Sequence, residues 1–224
     1  ISYINNIARL CDVVGADVEK VALGISLDPR IGSSCLKPGI GYGGSCLPKD
    51  TQGLYWLSGN TSEPLELVKA TIKVNETQAD YFLNKIFSRV KSVNNMNIAV
   101  LGVGFKGGTE DVRNSPATPI IKALLEKNAN IKIYDPLAMD NYQKAMSRHT
   151  HITYYLYAHE ALKGASMCLI LNDSEEFKKL TSDDFIKNMK RPLVFDGRNI
   201  FKLDALPGVE YHSVGRKTVG KLEK

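Results

Sequence analysis

The chain has 224 residues, which allows one large domain or one domain with a smaller companion, and is long enough to bury a sizeable apolar core. Its 43% hydrophobic and 24% charged residues are an ordinary mixture, with no low-complexity tract and no apolar stretch near the ~20 residues of a membrane-spanning helix. The net charge of +5 suits an anionic small ligand, and no basic stripe argues for nucleic acid.

The chain opens in helical periodicity. Ile4, Ile7, Ala8, Leu10 and Cys11 recur at i, i+3, i+4 and i+7, which predicts a helix over about 2–14 and a shorter one over about 17–24. No Met and no capping residue lead into it, so a piece of a longer protein is expected; a natural start is the alternative. A Gly/Pro-rich loop follows from Asp28 to Gly44. A helix then starts near Ser45 or Pro48 and runs to about Leu57. From Glu63 to Val90 the spacing of Leu67, Ala70, Val74, Tyr81, Phe82 and Ile86 predicts one long helix of ~40 Å, uninterrupted by Gly or Pro after Pro64. A helix of that length reads as a spine between domains or subunits, here a homodimer contact.

Beyond residue 93 the period changes. NIAVLGVG (97–104), IKIYDP (131–136), MCLILN (167–172) and PLVFDGRN (192–199) read as buried strands, and VEYHSVG (209–215) as a last edge strand. Helical stretches separate them, among them SPATPIIKALLEKNA (115–129) with Pro116 near its start. Strands alternating with helices imply a parallel sheet covered on both faces. The fold class is therefore α/β: a helical unit over 1–93 with a long connecting helix, followed by a Rossmann-like parallel-sheet unit over 94–224.

The cysteines Cys11, Cys35, Cys46 and Cys168 are scattered, with no CxxC pair, and the histidines offer only His149 and His151 in HxH. A reduced, cytoplasmic, metal-free protein is the expectation. Cys11 and Cys168 fall in apolar patterns and read as core. Cys46 differs. In GYGGSCLPKD (41–50) it follows Gly43 and Gly44, which permit positive φ and close approach of a ligand. Lys49 and Asp50 lie within reach of whatever that thiol attacks.

A second motif invites caution. Gly102, Gly104 and Gly107 fit G-x-G-x-x-G after a strand, and Asp135 ends the next strand, as in a dinucleotide fingerprint. Yet the helix cannot begin until about Ser115 or Pro116, and Lys106 and Arg113 occupy the intervening loop. NAD binding here is the weaker reading. A different nucleotide held through Lys106 and a glycine-rich turn with no ligand are the alternatives.

Three stretches, DPRIGSSCLKPGIGYGGSCLPKD (28–50), GVGFKGGTEDVRNSP (102–116) and FDGRN (195–199), together resemble the UDP-glucose 6-dehydrogenases of the UDP-glucose/GDP-mannose dehydrogenase family. The GDP-mannose branch shares the GGSC-x-P-K-D core and stays open as an alternative. The resemblance covers nearly the whole chain as the family's central and C-terminal domains; the N-terminal NAD-binding domain has no counterpart here. It implies oxidation of a sugar C6 alcohol to a carboxylate with two NAD reductions. Cys46 is then the nucleophile, and Asp50 the water-orienting or general-base carboxylate. Arg30, Cys35, Leu36, Lys37, Pro38, Gly39, Tyr42 and Gly43 match the substrate loop, Arg30 reaching across a dimer interface. Phe105 and Lys106 match the pair that packs on and charges the nucleotide, with Arg198 beside them at a strand's carboxyl end. Arg113 matches a contact to NAD. Lys49 either lowers the thiol pKa or meets the cofactor phosphates. The other readings are a non-catalytic nucleotide-binding dimerisation module and, more weakly, a nucleic-acid binder.

Overall fold

A computed structural model describes residues 1–146 and 148–220. Five helices come first: α1 (Ser2–Val14), α2 (Val18–Ser26), α3 (Leu47–Gly59), α4 (Glu66–Glu76) and α5 (Gln78–Arg89). Six strands follow: β1 (Asn97–Leu101), β2 (Asn130–Tyr134), β3 (Ile152–Tyr154), β4 (Met167–Ile170), β5 (Leu193–Asp196) and β6 (Glu210–Ser213). Between them lie α6 (Ala117–Leu125), α7 (Met139–Ala145), α8 (Ala158–Leu162), a 3-10 turn (Phe177–Lys179) and α9 (Ser182–Asn188).

The strands form one sheet in the order β3-β2-β1-β4-β5-β6, every neighbour parallel. The chain reverses direction of growth between β1 and β4, so their carboxyl ends open the crevice where such sheets take ligands. Strand alternation assigns two cores. Ile98, Val100, Ile131, Ile133, Leu169 and Phe195 face one way, towards Ile4 and Ala8 of α1, Phe82 and Ile86 of α5, and Ile120 and Leu124 of α6. Ala99, Leu101, Cys168, Ile170 and Val194 face the other, towards Leu162 of α8 and Phe185 of α9. The helical first half and the sheet thus share one continuous core.

A polar clamp reinforces that junction. Asp12 of α1 accepts from Lys85 Nζ of α5 at 2.7 Å, from the Tyr81 hydroxyl and from Gly215 N at 3.2 Å; Lys85 also donates to Ser213 O of β6. Burial pushes the Lys85 ammonium down and the Tyr81 phenol up.

Three stretches depart from the sequence reading. The expected helix over 63–90 starts only at Glu66 and is formed as α4 and α5 with an interruption at Thr77. β3 was not expected: it is three residues long, on the sheet edge and only part-buried, too short for a period-2 signal. α6 is shorter than the 115–129 stretch, because Asn128 takes a left-handed φ of 58° and ends the run.

Candidate active site

The carboxyl ends of β1, β4 and β5 carry three loops that meet the loop Leu36–Gly44 of the helical half. Arg198 sits at the junction. Its Nε donates to Leu171 O at 3.0 Å, its Nη1 to Gly41 O at 2.9 Å and its Nη2 to Phe105 O at 3.0 Å. One guanidinium therefore ties β4, the 36–44 loop and the β1–α6 loop together. Burial pulls its pKa down to about 10, with Asp173 and Asp196 resisting, so it stays charged at neutral pH. Three of its five N–H donors are used in this way.

The 36–44 loop docks along the same edge. Ile40 N donates to Gly197 O at 3.0 Å, and a Cβ on Gly39 would lie 2.8 Å from that carbonyl oxygen. Gly44 N donates to Arg113 O at 2.8 Å, and Asn114 Nδ2 returns a bond to Gly44 O at 3.1 Å. A Cβ on Gly43 would meet Asn114 O at 2.2 Å; one on Gly44, where φ is 83°, would meet the Phe105 ring at 3.0 Å. The space freed by the glycine pair is filled by Phe105 and Asn114. The pair lets the loop press onto the sheet half.

Cys46 follows after Ser45, exposed, at the N-cap position of α3 with no side-chain bond to the helix amides. Asp50 N donates to Cys46 O at 2.8 Å, closing the first helical turn. The thiol thus stands where unpaired amides and the helix dipole favour negative charge. Ser45 Oγ lies 3.6 Å from its sulfur. Two cations share this corner. The Lys49 ammonium is held above its ordinary value first by its bond to Asp50 (2.6 Å), and the Arg113 guanidinium by Asp111 (2.8 Å); both lie close enough to Cys46 to interact with it electrostatically. Lys49, Asp50 and Arg113 are all exposed.

Of the remaining expected residues, Phe105 is part-buried under Gly44, with Lys106 Nζ 5.5 Å from its ring centroid and otherwise exposed. Leu36, Pro38 and Gly39 are buried, while Cys35 and Lys37 are exposed. Tyr42 is part-buried, its hydroxyl 3.4 Å from Thr51 Oγ1. Arg30 stands apart, 87% exposed and bonded to Asp28. Cys11 and Cys168 are buried, and burial pushes the Cys168 thiol up.

The G-x-G-x-x-G turn is spent on the protein. Gly102 N donates to Tyr134 O, Val103 N and Gly104 N to the Asp135 carboxylate, Phe105 N to Asp111 O and Gly107 N to Asp173. Asp135 is buried and also binds Leu137 N, Ala138 N and Asn172 Nδ2. These amides are not free for a pyrophosphate, and α6 begins only at Ala117.

Sequence reasoning missed Asn5, Asn75, Gln78, Asn114 and Asp173, which hold these loops. One signal was present: Gln78 and Asn75 sit in a stretch read as apolar helix, and a buried amide must find partners. Among the described residues, no cluster of His, Cys, Asp and Glu could hold a metal ion, and no helix is long and apolar enough to cross a membrane.

Fold and site together define a doubly wound α/β protein whose switch-point crevice is roofed by a cysteine-bearing loop from a helical unit. Residues 1–77 match the central domain of the UDP-glucose/GDP-mannose dehydrogenase family, and residues 99–203 match that family's UDP binding domain. The chain belongs to the UDP-glucose/GDP-mannose dehydrogenase family. It is 42% identical over 98% of its length to the UDP-glucose 6-dehydrogenase YwqF of Bacillus subtilis, covering 50% of that protein, and 41% identical to TuaD of the same organism, covering 48%. The structure of a UDP-glucose dehydrogenase from Pyrobaculum islandicum superimposes with a TM-score of 0.85 at 27% identity, over 97% of this chain and 48% of that one. A UDP-D-ManNAc dehydrogenase from Pyrococcus horikoshii gives 0.81 at 28% identity, over 96% and 48%. The chain spans about half the length of the curated relatives it matches.

Proposed function

We propose that this chain carries the sugar-nucleotide site and the nucleophile of an NAD-dependent dehydrogenase that oxidises UDP-glucose to UDP-glucuronate. The UDP part lies in the crevice of a unit spanning 94–224, against Phe105, Lys106 and Arg198. The sugar lies under the loop of a unit spanning 1–93, with its C6 towards Cys46. NAD, when bound, supplies the acceptor for two hydrides. The glycine turn at 102–107 spends five of its six amides within the chain, which leaves no cradle for a pyrophosphate, so this chain's share of the cofactor contact falls to the exposed cations Lys49 and Arg113.

The residues of this chain account for the rest. When the C6 alcohol has become an aldehyde, Cys46 Sγ adds to its carbon, and the carbonyl oxygen takes a proton to give a thiohemiacetal. Loss of a hydride from that carbon and a proton from its oxygen leaves a thioester. Water, oriented by Asp50, then adds to the carbonyl and expels the thiolate, yielding the carboxylate. Cysteine suits both halves, as a strong nucleophile and a good leaving group. The observation that carries this reading is an exposed thiol at a helix amino terminus, flanked by Lys49 and Arg113 and held over the switch-point crevice.

A second copy of the chain belongs to the same proposal. α4 buries none of its residues, Leu67 being 85% exposed, and α3 leaves Leu54, Trp56 and Leu57 open, a surface suited to a homodimer. In the chain itself, UDP, UDP-glucose or UDP-glucuronate at millimolar concentration should raise the melting temperature by mass action. No shift with any of the three would refute the substrate assignment. In the complete enzyme, Cys46→Ser should abolish acid formation.

A further inference from the structure

The expected long helix breaks at one residue, and the break has a job. In an unbroken helix Gln78 N would bond Val74 O. That carbonyl instead receives Arg9 Nη2 from α1 at 2.9 Å, and the same nitrogen reaches Thr77 Oγ1 at 2.9 Å. Arg9 can only donate. Its Nε and Nη2 contacts to Gln78, at 2.9 and 2.7 Å, therefore assign Oε1 to the arginine side. Gln78 Nε2 is left facing the loop, where it donates to Gly39 O at 2.7 Å. Asn75, three residues earlier, clasps Tyr42 from both sides: Oδ1 accepts from Tyr42 N at 2.8 Å and Nδ2 donates to Tyr42 O at 3.1 Å. A Cβ on Gly41 would lie 2.8 Å from that Oδ1, so the glycine, at φ 109°, lets the clasp close.

Residues 36–46 contain no strand or helix, yet the backbone of 39–41 is buried and each polar group there needs a partner. The far side of the loop hangs on Gly197, Arg198 and Arg113, as described above. On the near side Asn5 Oδ1 accepts from Gly39 N at 2.8 Å, and everything else comes from Asn75 and Gln78. We propose that Asn75 and Gln78, set by Arg9, are positioning residues. They fix the backbone of 39–42 so that the loop and Cys46 close on the sugar, and they leave the nucleotide contacts of the sheet half alone. The proposal rests on the reading that this loop faces the sugar of a UDP-sugar.

Two near-isosteric variants of the 224-residue chain test it. Gln78→Glu keeps the acceptor that Arg9 needs and removes the donor to Gly39 O. Asn75→Asp keeps the acceptor for Tyr42 N and removes the donor to Tyr42 O. By calorimetry each should weaken UDP-glucose binding about tenfold, the order expected for one buried bond lost, with UDP affinity changed less than about twofold. Amide exchange read by mass spectrometry should lose protection over 36–46 and keep it over β1 and β4. Equal losses for UDP and UDP-glucose, or protection lost throughout, overturn the positioning role. Unchanged affinity with unchanged exchange overturns the clasp. A parent chain that binds neither ligand refutes the substrate reading and with it the sugar role, while the exchange pattern still decides whether the clasp exists.

Discussion

Strands β1 and β4 and the loop 36–46 meet at one crevice, but different forces fix them. The strands are almost wholly buried on both faces, with Ile98, Val100 and Leu169 on one and Leu101 and Ile170 on the other. Burial of apolar area holds them, at roughly 1.5–3 kcal/mol for each such side chain. The loop offers only Leu36 and Ile40 to the core. Side chains from α1, α4, α5 and the β5 end satisfy its backbone one group at a time. An apolar core tolerates substitution in proportion to volume, whereas a loop fixed by single polar contacts can lose its shape at one atom. Sheet variants should therefore change stability, and loop variants should change the site.

The largest expected effect lies in the sheet. Phe195 is fully buried on β5, edge-on to Phe82 of α5 and stacked on His212 with ring centroids 4.5 Å apart. Phe195→Ala should cost about 3–5 kcal/mol, read by denaturant unfolding, because the ring fills the space between sheet and helices. A cost near zero would break the contrast by showing that the shared core does not join the two halves.

Next comes the loop. Gly43→Ala sets a methyl 2.2 Å from a backbone oxygen that cannot swing away. A loss of about 1–3 kcal/mol is expected, from overpacking. The sharper result is the accompanying change at Cys46. Its alkylation rate should alter in Gly43→Ala and stay at the parent value in a sheet variant of equal stability. Equal rates in both would show that the loop does not set the thiol.

How much of this was legible beforehand follows the same divide. Short continuous apolar runs such as Ile98–Leu101 and Met167–Ile170 signal buried strands by themselves, so five of the strands and the parallel sheet could be read directly. β3 could not, since three residues are too few to hold a period. The thiol-bearing loop was legible as a motif, but its fixings were not. Asn5, Asn75 and Gln78 bond to residues 33–39 positions away, and no local pattern encodes that distance. The long helix was misread because its interruption at Thr77 leaves the apolar spacing intact, and the Arg9 that meets the Val74 carbonyl there lies 65 residues earlier. The glycine fingerprint misleads because spacing records that glycines are needed, and not that Tyr134, Asp135 and Asp173 use their amides.

A pH dependence probes the polar side of the sheet. His212 on β6 lies between buried Glu210, 3.0 Å from Nε2, and Thr218 Oγ1, 3.1 Å from Nδ1. A neutral ring that donates from Nε2 to the carboxylate and accepts the hydroxyl at Nδ1 satisfies both contacts. Burial lowers its pKa below 6.5, more than Glu210 raises it. The unfolded chain then takes up a proton that the folded one refuses, so stability falls as pH drops below 6.5, and the contribution is fully present above it. His212→Gln should flatten the slope of unfolding free energy between pH 6.5 and 5. An unchanged slope would assign it to other groups.

The smallest effect on the fold is expected at Arg30, and that makes it the cleanest probe of the site. Its side chain is 87% exposed and its partner is Asp28, two residues away. An exposed pair of this kind contributes little, so Arg30→Ala should leave the unfolding midpoint of the chain within error. If Arg30 reaches a sugar nucleotide held by a second copy, its removal should weaken UDP-glucose binding only at protein concentrations where light scattering finds dimers. At concentrations where the chain is monomeric, parent and variant should bind alike. A loss in the monomer would place Arg30 within its own chain's site. No loss in either state would leave it a solvated loop charge and remove the partner copy from the binding site.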